Sequence, residues 1–266
     1  MITSTKNLLV KQLRSLGESA KNRKEQGLFL IEGTHAITEA IAVAYPLSIV
    51  CCTEKWIDAN PNLYEQIETS TDKIERLEIV SEEVLQWMAT TKNPDGAIAV
   101  APLPTPQTAN IQTLGLALET IQDPGNIGAI VRSSVAVEID GILVSSDCVD
   151  LTNPKIIRAT AGQWFRCAMQ TSNQIADDIR KLQSQGVKAI ATVASAQKTY
   201  WDYDFTQPTL ILLGNEGNGL SDELIELADE VVSIPQSDRV ESLNVSICAA
   251  LLLYEAKRQR AVFPKV

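Results

Sequence analysis

Three stretches in the second half of the chain carry residue types that could bind a ligand or act on one. The first, Ile121 to Arg132, reads I-Q-D-P-G-N-I-G-A-I-V-R and leads from an apolar run into a helical one. Pro124 and Gly125 make the turn, Asn126 reads as the helix N-cap, and Arg132 falls within two turns of the helix start. Gly128 in the first turn costs helix stability unless something approaches closely. The second, Leu212 to Leu220, reads L-L-G-N-E-G-N-G-L, with Gly214, Gly217 and Gly219 around an acid. Such glycines let the backbone adopt positive φ and offer its N–H and C=O groups at short range. In the third, Ile234 to Glu255, a strand ends at Pro235 and Ser242 caps an apolar helix expected to be buried, with Asn244 beside it. That arrangement aims small polar groups and free N–H donors at a site. Taken singly, the first stretch reads better as a strand-to-helix turn with a surface arginine, the second equally as a glycine-rich turn capped by Ser221, and the third as a cap at Ser242 that leaves Asn244 unexplained.

Residue counts remove several chemistries. The single histidine, His35, excludes a multi-histidine metal centre, an H-E-x-x-H site and a Ser-His-Asp triad elsewhere in the chain. Cys51, Cys52, Cys148, Cys167 and Cys248 form no C-x-x-C pair, are odd in number and mostly lie in apolar runs, so they read as reduced thiols of a cytoplasmic protein, with neither a metal nor a disulfide framework. The glycine spacing is not G-x-G-x-x-G and no Lys-Ser/Thr follows, which argues against phosphate cradling and against a dinucleotide-binding dehydrogenase. The N-terminus has no apolar leader, and the longest apolar run, Ile247 to Tyr254, is far short of the roughly 20 residues that span a bilayer.

The elements that must position the three stretches are legible as well. Apolar runs at 114–121, 141–145, 167–171, 188–193, 209–214 and 230–235 alternate with helical stretches near 126–137, 154–162, 174–185, 221–228 and 242–260. Unbroken apolar strands between helices predict an α/β domain whose mostly parallel sheet is covered on both faces, with ligands beyond the carboxyl ends of its strands. Pro102, Pro104 and Pro106 mark 101–110 as a linker. Before it, helices over 5–19, 33–42 and 81–90 and strands over 47–53 and 77–81 predict a small α/β domain at 1–100, leaving 111–266 for the larger one.

In combination, N-x-G-x-x-x-R after one strand, G-N-E-G-x-G-L after a later one and I-P…E-S-L-N-V-S at the last helix resemble the SpoU (TrmH-like) family of SPOUT-class RNA ribose 2′-O-methyltransferases. The segment F-L-I-E-G-T-H-A-I-T-E-A-I at 29–41 is similar to the family's small substrate-binding domain, itself like ribosomal protein L30e. The resemblance implies an α/β domain with a trefoil knot, S-adenosylmethionine as cofactor, an RNA substrate and a homodimer. It further implies that Arg132 acts at the ribose hydroxyl and that Asn126, Ser242 and Asn244 orient it, the substrate phosphate or the cofactor. Leu213, Gly214, Asn215, Glu216, Gly217, Gly219, Ile234, Gln236, Ser242 and Leu243 would hold the cofactor, with Glu216 shaping its loop and steering Arg132. Gln236 and Asp238 depart from the family pattern, as do Thr160 and Gln163 in A-T-A-G-Q-W-F-R.

The formal net charge of −10 weighs against a polyanionic partner. It is unevenly spread, since residues 1–30 carry six basic and two acidic side chains. Lys11, Arg14, Lys21, Arg23 and Lys24, together with Arg158, Arg166 and Arg239, are the expected RNA-facing set, although each reads equally as an ordinary surface charge. The N-terminal extension resembles that of ribosomal-RNA members. A transfer-RNA methyltransferase and a non-catalytic RNA-binding ribosome-assembly factor are the alternatives.

Overall fold

The computed structural model describes residues 1–70, 73–105, 109–215, 217–237, 239–240 and 242–261. In chain order the elements begin with α1 (Leu8–Glu18), α2 (Ala20–Gln26), β1 (Leu28–Glu32), α3 (Thr34–Ala42) and β2 (Leu47–Cys52). There follow α4 (Glu54–Ala59), α5 (Pro61–Thr69), β3 (Ile74–Ile79), α6 (Glu82–Met88) and β4 (Ala97–Pro102). The remainder comprises β5 (Leu114–Leu118), α7 (Pro124–Val137), β6 (Gly141–Ser145), α8 (Pro154–Ala159), β7 (Met169–Ser172), α9 (Ile175–Ser184), β8 (Lys188–Thr192), β9 (Thr209–Leu213), α10 (Asp222–Leu227), β10 (Glu230–Val232) and α11 (Val245–Arg260). Short 3-10 turns occupy Gln163–Arg166 and Tyr200–Asp202.

The chain forms two compact units: Met1–Thr105 with Asp150–Arg166, and Pro106–Val149 with Cys167–Val266. The first is built on a four-stranded sheet of order β1-β4-β2-β3, in which β4 runs antiparallel to both β1 and β2. The strands β1 and β4 were not expected from the sequence. Strand β4 runs into the expected linker as far as Pro102, which pairs with Leu28 at the strand's end, where a missing N–H is tolerated.

The crossover between β6 and β7 belongs to the first unit, not to the second as the sequence suggested, because its side chains find their partners there. Arg23 is 3% exposed and its guanidinium meets the Asp150 carboxylate at 2.5 Å, while also donating to Leu16 O and Thr152 Oγ1. Buried Glu32 at the end of β1 accepts from Arg158 at 2.5 Å and from the Thr90 amide at 2.7 Å. Arg166 pairs with Glu39 at 2.9 Å. Trp164 packs 5.0 Å from Phe29 and 6.0 Å from Tyr45, centroid to centroid. The helix expected to reach 162 stops at Ala159, since Ala161 and Gly162 both take positive φ. A Cβ on Gly162 would come within 2.4 Å of the Glu39 side chain.

The second unit holds a six-stranded, wholly parallel sheet of order β10-β8-β9-β5-β6-β7. Every residue of β5, β6 and β9 is buried, as unbroken apolar runs covered on both faces require. From β5 the chain steps outward through β6 to β7, then crosses to the far side of β5 for β8 and returns to lay β9 between β8 and β5. Strand progress therefore reverses between β5 and β9, and a crevice at their carboxyl ends is where such sheets bind ligands.

Candidate active site

The loops that leave β5, β6 and β9 meet at that switch point. Thr120, just past β5, has φ +57°, a left-handed conformation that a β-branched residue adopts only when its surroundings impose it. Here they do. Its N–H donates to Ser145 Oγ at 2.9 Å, its hydroxyl to Asp147 Oδ2 at 2.6 Å, and its carbonyl accepts from Asn215 Nδ2 at 2.9 Å. Hydroxyl donors from Ser145 and then Thr120 hold the Asp147 carboxyl below the usual carboxylate range. One residue on, the Ile121 amide donates to Cys148 Sγ at 3.1 Å.

The glycine loop after β9 is closed on itself. Asn215 and Gly219 exchange backbone hydrogen bonds of 3.0 and 2.8 Å, and Asn215 Oδ1 accepts from the Gly217 and Asn218 amides. Gly214 is required by close approach, because a Cβ there would sit 2.2 Å from the Gly219 backbone. Gly219 is required by its φ of +70°. Leu213 is buried and its carbonyl accepts from the Glu119 amide, so that backbone oxygen is engaged within the sheet. Gly217 and Gly219 are exposed, Ile234 is buried, and Gln236 is exposed. Glu216 and Asp238 lie outside the described residues.

Two expected caps are displaced by a few residues. Asp123, not Asn126, caps α7: its side chain accepts from the Asn126 amide at 3.0 Å, and Pro124 fills the first helical position. Likewise Asn244, not Ser242, caps α11 by accepting from the Ser246 amide at 2.9 Å. The shifts have a chemical consequence. With Asp123 doing the capping, Asn126 Oδ1 accepts from Asn244 Nδ2 at 2.9 Å, which joins the first and third motifs directly. Ser242 is exposed and Leu243 half-buried beside this pair in sequence. Arg132 is exposed on α7 and makes no hydrogen bond or ion pair with the other described residues.

The helix α11 is not buried all round. Val245, Ala249, Leu252, Leu253 and Ala256 face inward, while Ile247, Leu251 and Tyr254 are 51%, 37% and 56% exposed along the other side and line a shallow groove with Tyr200.

The basic set of the first unit divides. Lys11, Lys21 and Lys24 are exposed, the second of them 3.7 Å from Glu25. Arg14 bonds Glu18 and the Trp87 carbonyl and stacks 4.5 Å from the Trp87 ring. Arg23 is buried in its ion pair and so is removed from the RNA-facing set, and Arg158 and Arg166 are likewise paired. In the second unit Arg239 is exposed. Burial pushes the Cys51 and Cys167 thiols up to about 12 and Cys52 to about 11, so none of the three supplies a thiolate at neutral pH. Among the described residues no group of three or more His, Cys, Asp or Glu could hold a metal, and no helix is long and apolar enough to cross a membrane.

Sequence reasoning missed Thr120, Asp147 and the caps. Asp-Pro at the helix start was a readable signal for Asp123. Nothing in its type marks a threonine for positive φ.

Comparison with known proteins matches residues 113–254 to the SpoU rRNA Methylase family and residues 7–99 to the MRM3-like substrate binding domain. An uncharacterized tRNA/rRNA methyltransferase of Synechocystis is 42% identical, over 97% of this chain and 94% of its own. The 23S rRNA (guanosine(2553)-2'-O)-methyltransferase of Bacillus subtilis is 27% identical, over 96% of this chain and 98% of its own. The crystal structure of the SpoU methyltransferase AviRb from Streptomyces viridochromogenes, in complex with the cofactor AdoMet, superposes with a TM-score of 0.84 at 27% identity, covering 96% of this chain and 98% of that one. The motifs gathered at the β5/β9 crevice and these matches along nearly the whole chain establish that the protein belongs to the SpoU rRNA methylase family.

Proposed function

We propose that this protein is a cytoplasmic, S-adenosylmethionine-dependent methyltransferase that modifies a ribose 2′-hydroxyl of ribosomal RNA. The observation that carries the reading is the direct Asn126–Asn244 bond beside a glycine loop pinned to the β5 exit, which brings all three motifs to one crevice. The residues fit the cofactor: the Asn215–Gly219 pairing and the lack of room for a Cβ at Gly214 fix a compact loop, and exposed Gly217 and Gly219 carry no side chain to keep a ligand from its surface. Gly214, Asn215, Gly217, Gly219, Ile234, Gln236, Ser242 and Leu243 would hold it. Leu213, whose carbonyl is engaged by Glu119, and Asn215 and Gly219, whose backbone groups pair with each other, contribute position and shape. When bound, S-adenosylmethionine supplies an electrophilic methyl group on a sulfonium.

Arg132 cannot take the hydroxyl proton, because a guanidinium stays protonated in proteins. Its part is to stabilise charge developing on the 2′-oxygen and to hold the neighbouring phosphate, while the proton passes to solvent. Asn126, fixed by Asn244, orients the substrate side of the crevice. The first unit reads the RNA, with Lys11, Lys21 and Lys24 as phosphate contacts, and the match of a ribosomal-RNA methyltransferase along nearly its full length supports that substrate. The laying of β9 between β8 and β5 supports the trefoil-knotted path of the family. The exposed apolar side of α11 supports a homodimer, since Ile247, Leu251 and Tyr254 are better covered by a second copy than by water.

Calorimetry with S-adenosylmethionine followed by radiolabelled methyl transfer to ribosomal RNA tests the reading. Arg132→Ala should lower transfer by about 10²-fold or more, the usual cost of one preorganised contact, with cofactor affinity within about threefold. Unchanged turnover would remove Arg132 from its role. Cofactor binding without any transfer would favour an assembly factor.

A further inference from the structure

The glycine loop is gripped at both ends by two consecutive residues at the exit of β5. At the near end, Asn215 Nδ2 donates to the Thr120 carbonyl at 2.9 Å. At the far end, the Glu119 carboxylate accepts from both the Ser221 amide and the Ser221 hydroxyl, each at 2.7 Å. Neither residue belongs to the motifs that identify the family's site. A strand's alternation would send neighbouring residues to opposite sides. Thr120 breaks that alternation with its left-handed backbone, and Ser145 and Asp147 hold it there. The strain thus places a main-chain acceptor and an adjacent carboxylate where the two ends of one loop can reach them.

On this geometry we infer that Glu119 is a positioning residue for the cofactor, anchoring the carboxyl end of the glycine loop through Ser221 while Thr120 and Asn215 anchor the other. The inference rests on the reading of that loop as the S-adenosylmethionine site. Free of its anchors, the loop keeps its own Asn215–Gly219 pairing but loses its fixed place against β5. The cofactor then meets a loop that must be ordered on binding, and affinity falls by the cost of that ordering.

The experiment compares wild type, Glu119→Ala and Glu119→Gln by calorimetry with S-adenosylmethionine, by steady-state kinetics and by amide exchange of the ligand-free protein. Removing both charge-assisted bonds in Glu119→Ala should weaken cofactor binding about tenfold and raise KM in step, with kcat at saturating cofactor changing by about threefold or less. Glu119→Gln keeps one acceptor for the Ser221 amide and should lose about threefold in affinity. Amides of 214, 215 and 217–221 should exchange faster in Glu119→Ala while those of β5, β6 and β9 keep their wild-type protection. Equal affinity and equal exchange in wild type and Glu119→Ala would overturn the inference, as would a loss of affinity accompanied by faster exchange throughout the sheet. Wild-type protein that bound no S-adenosylmethionine would overturn the functional reading itself, a result distinct from equal binding by wild type and variant.

Discussion

Arg23→Ala separates a structural arginine from an RNA-binding one. The guanidinium of Arg23 is almost wholly buried, bonds Asp150 at 2.5 Å and donates to Leu16 O at 2.7 Å and Thr152 Oγ1 at 3.2 Å. Truncation deletes these bonds and leaves the Asp150 carboxylate facing a cavity. Breaking a buried ion pair from one side costs about 3–5 kcal/mol. The Asp150 side chain keeps 24% exposure and its bonds from the Thr152 amide and hydroxyl, which places the loss near the lower end, about 3 kcal/mol. For a unit of this size that is a fall of roughly 10 °C in its thermal transition. Circular dichroism melts of wild type, Arg23→Ala and the double variant Arg23→Met with Asp150→Asn measure it. The double variant has no unpaired charge to bury, so it should recover more than half of the loss. In parallel, filter binding to ribosomal RNA across salt should leave the slope of log K against log salt unchanged in Arg23→Ala, whereas Lys24→Ala lowers it by about 0.7–0.9. A shift of less than about 2 °C in Arg23→Ala, or a changed salt slope at an unchanged transition, would refute the assignment.

Two further outcomes follow from the same structure. Leu251→Lys, which puts a charge in the middle of the exposed side of α11, should convert the protein to monomers by analytical ultracentrifugation with its circular dichroism spectrum unchanged at low temperature, and a persistent dimer would move the interface elsewhere. Against its desolvation, which raises it, the bonds from Arg23 and Thr152 hold the Asp150 carboxyl below its ordinary 3.8, so its contribution to stability is complete above that value and is lost as pH falls through the depressed one. Asp150→Asn should therefore flatten the acid limb of the stability profile of the first unit below pH 3.8, and an unchanged limb would assign acid unfolding to other carboxylates.

The parallel sheet was legible because its chemistry is coarse. Runs such as Thr209–Leu213 and Gly141–Ser145 are apolar without alternation, and only a strand covered on both faces needs that. The alternation of such strands with helices puts ligands at their carboxyl ends, whereas the strand order that makes β5 and β9 the switch point is set by pairing. What escaped was set by contacts distant in sequence. The end of β4 falls in the expected linker because Pro102 opens a run of alternate prolines with Pro104 and Pro106, yet pairing with β1 holds Ala101 and Pro102 extended. Helices α4 and α5 are short, and their pattern is too brief to show a period. The exposed side of α11 shows a deeper limit: an apolar helix is apolar whether its own chain or a second copy covers it, and composition does not distinguish the two. Thr120 shows another, since a strained backbone is imposed by Ser145, Asp147 and Asn215, none of them a neighbour of it in sequence.

The charge pattern illustrates why counting along a chain overstates a binding surface. Residues 1–30 hold six basic side chains, but a side chain serves a polyanion only if its charge is still free in the fold. Arg23 is spent on Asp150, and Arg14 on Glu18, the Trp87 carbonyl and the Trp87 ring. Arg158 and Arg166, which looked like additions to the basic face, balance Glu32 and Glu39. The exposed remainder of the arm is Lys6, Lys11, Lys21 and Lys24, all lysines, with Lys21 in a loose, solvated pair with Glu25 at 3.7 Å. The division has a physical reason, since a planar guanidinium forms several fixed bonds and is less costly to dehydrate, whereas an ammonium is a strongly hydrated point charge that stays at the surface. Lysines of that kind attract phosphates without reading bases, so they can supply affinity and salt dependence but not the choice of nucleotide. That choice must lie with groups that meet an unstacked base by shape and hydrogen bonding, and charge reversal of these lysines should weaken binding to all RNAs alike while leaving the position of the methyl group unchanged.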